Sequence, residues 1–206
     1  MVLKALALVT APSQTPITLA EAKAHLRRDD SDEDTLISSL ILAATAHVEG
    51  RTGYTGRALC PQTWDFYLSE FPSDPSRAIE IPLPPLITVD SITYLDRDGA
   101  EQTLATTVYE VNTATAPGSV GLKQDQTWPE TRQAWNAVKI RFQAGYSAFD
   151  ESPTDFNGTD IPVFQAAIKL VLSDLFENRS AGGHDKYEVN PATKALLYPL
   201  RVNIGL

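Results

Sequence analysis

Cysteine is nearly absent: of 206 residues, Cys60 alone carries a thiol. One cysteine cannot close an internal disulfide, and no second Cys or His stands at metal-ligand spacing from it, so the framework is neither disulfide-stapled nor zinc-built. Histidine is scarce, with three copies, and none forms the paired spacing that grips a metal from one helix face. Positive charge is in deficit: 17 Lys and Arg stand against 26 Asp and Glu, a formal charge of -9. A field of that sign repels nucleic acid instead of condensing on its phosphates, which disfavours a sequence-reading DNA binder.

Long apolar runs are also missing. The run after Lys4 spans only five residues and no small-residue cleavage site closes it, which argues against a secretory signal. The stretches in 36–48 and 161–176 are interrupted by polar residues well before the ~20 needed to cross a bilayer, so the expectation is a soluble chain with no membrane partner. No Gly-rich phosphate loop, nucleophile elbow or dinucleotide fingerprint appears. These absences point away from an enzyme, and they imply no cofactor and no metal.

What is present is an ordinary globular composition, 43% hydrophobic and 21% charged, enough for one real core. Residues 1–17 end in a Thr, Pro and Ser mixture without hydrophobic period and read as an N-terminal arm. Thr18-Leu19-Ala20-Glu21 has capping-box form and starts a helix. The acid run Asp29 to Asp34 breaks it, and a second helix follows with Leu36, Ile37, Leu40, Ile41, Ala44, His47 and Val48 on one broad face. Gly50 and Gly53 offer its stop.

From Thr55 the period changes from helical to alternating. Thr63 to Leu68 reads as a strand, followed by candidates at 78–81, 88–95, 101–104, 108–112, 119–122 and 137–144. Asp96-Arg97-Asp98-Gly99 is turn chemistry, so 87–104 reads as a hairpin. Pro82, Pro84 and Pro85 put 81–86 on a sheet edge or in a bent connector. Residues 145–160 read as a long exposed loop. Helical pattern returns at Pro162 to Asn178 and again at Pro191 to Tyr198, where Pro199 ends it. The order predicts an α+β fold over 18–200. In it, helices from 18–53 and 161–199 build the core, an antiparallel β region is inserted at 57–146, and 201–206 form a C-terminal tail.

Candidate chemistry is thin. His47 on an apolar helix face reads as a packed imidazole, His25 as solvent-facing, and His184 lies in a Gly-rich loop. Asp29, Asp32 and Asp34 offer oxygen ligands, yet they lack the loop Gly and distal Glu of an EF-hand, and helix-start electrostatics accounts for them. Trp128 and Trp135 flank a short loop and read as core anchors ahead of a stacking platform.

The succession of segments is more telling than any one motif. TLAEAKAHLR, DEDTLISSLILAATAHVEGRTGYTGRAL, QTWDFYL, IPLPPLITVDSITYLDRDGAEQTL with YEV, VKIRFQAGYS and IPVFQAAIKLVLSDLFENR follow in that order. This resembles the head-tail connector (adaptor) proteins of tailed double-stranded-DNA phages and of phage-derived gene-transfer particles. It covers roughly Thr18 to Arg179 and rests most on the two opening helices with their Gly-rich turn and Arg57-Ala58-Leu59, the Pro-rich edge, and the Ala144-Gly145-Tyr146 strand exit.

The resemblance implies a structural virion protein at the head-tail neck, assembled in the host cytoplasm. Its subunits would form a homo-oligomeric ring, expected to be dodecameric, that joins the portal protein to stopper or tail-completion proteins. DNA would pass through an axial channel without sequence-specific binding. By the same analogy Tyr198, Leu200, Arg201, Val202, Asn203, Ile204 and Leu206 are portal-docking candidates. Ring building needs a heterologous contact, and strand addition makes Ile81, Leu83 and Leu86 inter-subunit strand-edge candidates. Two readings from other classes stay open. One is a β-rich ligand- or carbohydrate-binding module, suggested by Trp64, Trp128 and Trp135; the other is a small hydrolase with dispersed carboxylates.

Overall fold

The structure is a computed structural model and describes residues 4–146, 160–178 and 190–202. Thr18 opens the first helix, α1 (Leu19–Leu26), as its sequence predicts. Its hydroxyl accepts the Glu21 backbone N–H at 3.2 Å while the Glu21 carboxylate accepts the Thr18 N–H at 2.8 Å, so two orphan donors are satisfied reciprocally. Arg27, left-handed at φ 55°, ends α1. The acid run then leads into α2 (Asp34–Val48). Two of the run's acids are paired as well as favourably placed: Lys23 holds Asp34 at 2.6 Å, and Arg28 lies 3.3 Å from Glu33.

The chain divides into two compact units. The helical unit takes the described residues of 14–60 together with 160–178 and 190–202. Here α3 (Asp160–Glu177) packs against α1, α2 and the short α4 (Pro191–Leu197), which continues into a 3-10 helix at Tyr198–Leu200. The α+β expectation holds, and the helices of both ends share this unit. Their buried stripes are the predicted ones: Ile37, Ile41, Ala44 and Val48 from α2, and Phe164, Ala167, Ile168 and Leu172 from α3. Burying each large side chain of this kind stabilises by about 1.5–3 kcal/mol before entropy is counted. Pro199 does not terminate the last helix; it lies inside the 3-10 turn, where its fixed φ is tolerated at the start.

The β unit takes the described residues of 4–13 and 61–146. Its larger sheet joins β1 (Lys4–Thr10), β2 (Gln62–Leu68), β4 (Leu86–Leu95), β5 (Glu101–Thr103) and β8 (Val138–Ala144) in the antiparallel order β1-β2-β8-β4-β5. A smaller sheet joins β3 (Ile79–Ile81), β6 (Tyr109–Asn112) and β7 (Gly118–Leu122) in the order β3-β7-β6. Central strand β8 alternates buried and half-buried residues along its whole length, which is why its period was legible. Phe66, Ile92, Ile140 and Phe142 form the fully buried centre. The residues between β3 and β4 are a bent connector, as the prolines require, with Leu83 at φ 60°.

One expectation changes here. Residues 1–17 read as an arm, but Lys4–Thr10 form strand β1, paired antiparallel with β2 from Lys4↔Leu68 to Thr10↔Thr63. Ala5, Ala7 and Val9 lie on one face and Lys4, Leu6 and Leu8 on the other, and nearly all stay exposed. An edge strand wetted on both faces needs no polar alternation, so it leaves no period-two signal in the sequence.

Candidate functional site

The Gly-rich turn that follows α2 is braced at several points. Gly50 takes φ 83°, a left-handed conformation that suits glycine. Its N–H donates to the Arg57 carbonyl at 2.7 Å, closing the loop on itself. At Gly53 a Cβ would overlap the backbone carbonyl of Glu49, so no side chain fits there. The last carbonyls of α2 are then satisfied by the returning chain. Tyr54 N–H donates to His47 O at 2.9 Å, and Thr55 donates to Val48 O through both its N–H at 3.0 Å and its hydroxyl at 2.7 Å.

This turn in turn holds the C-terminal segment. Arg57 is 9% exposed, and its Nε donates to the Leu200 carbonyl at 2.6 Å. Val202 N–H donates to Thr55 O at 2.8 Å. The Arg201 guanidinium lies 5.5 Å from the centre of the Tyr54 ring, within cation–π range. Three contacts therefore fix residues 200–202 on the turn, while Tyr198 projects outward at 71% exposure. The structure thus brings four sequence-predicted candidates, Tyr198, Leu200, Arg201 and Val202, to one place. Asn203, Ile204 and Leu206 lie outside the described residues, as does His184. Sequence reasoning missed Arg57 as the anchor. The available signal was an arginine directly after a three-glycine turn and before the apolar Ala58-Leu59-Cys60.

The strand-edge candidates are distributed differently. Ile81 and Leu83 are 0% exposed and Leu86 is 5% exposed, so their side chains belong to the β unit's interior. Strand β3, which carries Ile81, is one margin of the smaller sheet, whereas Leu86 pairs with Ala144 of β8. A groove of about 800 Å³ opens in the same unit, with an apolar floor of Phe66, Leu68 and Ile79 and a rim that includes Lys4, Glu70, Arg77 and Glu80. No His or Cys lines it.

The remaining chemical candidates are accounted for locally. Burial, with the charge of Glu49 adding to it, pushes the Cys60 thiol up to about 12, which leaves it protonated and unreactive at neutral pH. Among the described residues no three His, Cys, Asp or Glu are grouped to hold a metal, and no helix is long and apolar enough to cross a membrane. Trp128 stacks on Phe71 with ring centres 4.9 Å apart and an interplanar angle of 6°, an anchoring role. Trp135 departs from that expectation: it is 82% exposed. The indole of Trp64 donates to Gln62 Oε1 at 3.1 Å. On the sheet, Arg141 grips Asp65 through two bonds of 2.8 Å, which holds the Asp65 carboxyl below its usual range.

Residues 16–111, which carry α1, α2, the Gly-rich turn and strands β2 to β5, match the family described as phage gp6-like head-tail connector protein. The fold of this chain is also found along nearly its full length in solved structures. A chain in the neck of an empty gene transfer agent (GTA) particle, computed with C6 symmetry, has a TM-score of 0.69 at 23% identity, covering 97% of this chain and 96% of that one. A chain in the virion of a native GTA particle gives 0.68 at 23% identity over 96% and 95%. A chain in the neck of a native GTA particle, computed with C12 symmetry, gives 0.67 at 23% identity over 97% and 96%. No curated protein matches this chain.

Proposed function

We propose that this chain is a head-tail connector, a structural adaptor subunit of a phage or gene-transfer particle. Copies form a ring, dodecameric by analogy with the C12 neck, between the portal and the stopper or tail-completion proteins. The observation that carries this reading is the shared fold over 97% of the chain with a component of such a neck, joined to the connector-family match over residues 16–111. Its work is done by shape and contact, with no bond made or broken. The braced segment Tyr198 to Val202, continuing to Leu206, docks on the portal. Its anchoring at Arg57 presents Tyr198 in a defined place, so less ordering entropy is lost on binding. Strand addition at the β3 margin is a candidate inter-subunit contact, and with Ile81, Leu83 and Leu86 buried it would offer backbone in place of side chains. The charge of -9 suits a channel wall past which DNA moves without adhering.

The test is negative-stain imaging and native mass measurement of the full chain, alone and mixed with the portal protein of its particle. Rings seated on the portal are expected. Monomers with no affinity for the portal would overturn the reading, and saturable sugar binding by such a monomer would favour the carbohydrate-binding alternative.

A further inference from the structure

Helix α2 differs from every other helix described in where its charge lies. Helix α1 carries Glu21 and Lys23, α3 carries Asp160, Lys169, Asp174 and Glu177, and α4 carries Lys194. Along its 15 residues α2 has one acid, Asp34, in its first turn, and His47 in its last. The face turned away from α3 holds Thr35, Ser38, Ser39, Leu42, Ala43 and Ala46, all exposed. Leu42 stands at its centre, 61% exposed. A solvent-facing helix surface ordinarily carries the charged residues, and here three turns carry none.

Two further observations bear on what covers it. The serine hydroxyls of this face are already used: Ser38 donates to Asp34 O and Ser39 to Leu36 O, both at 2.7 Å. Covering the two serines therefore strands no serine donor, which lowers the penalty of burying polar groups. The second observation is electrostatic. Each copy carries -9, so two copies repel wherever charged surfaces meet, and like-charge juxtaposition is strongly unfavourable at an interface. A basic partner would gain by meeting acids, whereas a second copy of an acidic chain gains by meeting through a surface without them.

We infer that the outer face of α2, centred on Leu42, is a contact between neighbouring copies of this chain. The inference rests on the ring reading above and names part of its contact surface: the neighbour's surface closes over Leu42 as the packed anchor of one side of a heterologous joint.

The test uses the full chain and its portal. Leu42→Glu places a charge at the centre of the face while leaving the buried stripe intact, so its circular dichroism and Tm match wild type and ring formation falls by at least about tenfold, the loss of a hot-spot anchor. Leu42→Met retains rings. A second measurement does not depend on weakening the contact. Cys60 is buried, so Ala43→Cys supplies the one accessible thiol; maleimide labels it quickly in monomer and slowly in rings, while Ser73→Cys, on an exposed loop, labels quickly in both. Rings formed normally by Leu42→Glu, or equal labelling of Ala43→Cys in rings and monomer, overturn the inference and leave the adaptor reading standing. A wild-type chain that never assembles, alone or on the portal, overturns both.

Discussion

Replacing Arg57 by Met should free the C-terminal segment without unfolding the helical unit. The methionine keeps an unbranched stem of similar reach and removes the donor, so the Leu200 carbonyl loses its 2.6 Å partner. A hydrogen bond from a charged donor contributes about 1.5–3 kcal/mol. Two weaker restraints remain, the Val202 N–H bond to Thr55 at 2.8 Å and the Arg201–Tyr54 contact at 5.5 Å. With about 2 kcal/mol removed from the opening free energy of residues 200–202, the open population rises by roughly thirtyfold, at about 1.4 kcal/mol per factor of ten. The assay is native-state hydrogen exchange at the Val202 amide, whose protection should fall by that factor while amides in the middle of α3 keep theirs. Portal affinity should fall with it. Unchanged Val202 protection would refute the anchoring role of Arg57. A parallel loss throughout α3 would show that Arg57 supports the whole unit.

Two other outcomes follow from the packing. Asp65→Asn should lower stability at neutral pH by about 1 kcal/mol, a discounted value because the Arg141 side chain is 41% exposed and water screens the pair. The Asp65 carboxyl is held below its unfolded value by the Arg141 hydrogen bonds, so the wild-type advantage is full above about pH 4 and disappears as pH falls through the lower folded pKa. Urea melts of both proteins from pH 7 down to pH 3 should converge, and a constant gap would sink the assignment. Gly53→Ala should destabilise by roughly 1–3 kcal/mol, since the added carbon has to displace the Glu49 backbone. Gly121→Ala, whose Cβ meets only Ala78 at 4.0 Å, is the control; equal Tm losses in thermal melts would contradict the packing.

Much of the fold was legible because local rules and tertiary burial agree. The capping box at Thr18 and Glu21, the turn at Asp96 to Gly99 and the alternation in β8 each satisfy backbone groups and bury one face at once. The predicted strand bounds fall within one or two residues of those found. Where the signals failed, burial was the missing partner. Strand β1 covers little core and so shows no alternation. Trp135 reads as an anchor by residue type, yet exposure is decided by neighbours distant in sequence. The site was less legible than the fold: the turn's glycines were visible, but the bond from Arg57 to Leu200 spans 143 positions, beyond the reach of any local pattern.

Strand β1 has a consequence for how this protein is made. Its ladder partner begins at Gln62, with α1 and α2 in between, so a ribosome releases the strand long before its place in the sheet exists. During that interval a seven-residue segment, KALALVT, whose single charge is at one end, is free to pair with any open edge it meets, including that of another nascent copy. Yield at high expression should therefore be limited by this first segment. A lower level of expression, with fewer nascent copies to meet, or Ala7→Lys on the exposed strand, should recover soluble material.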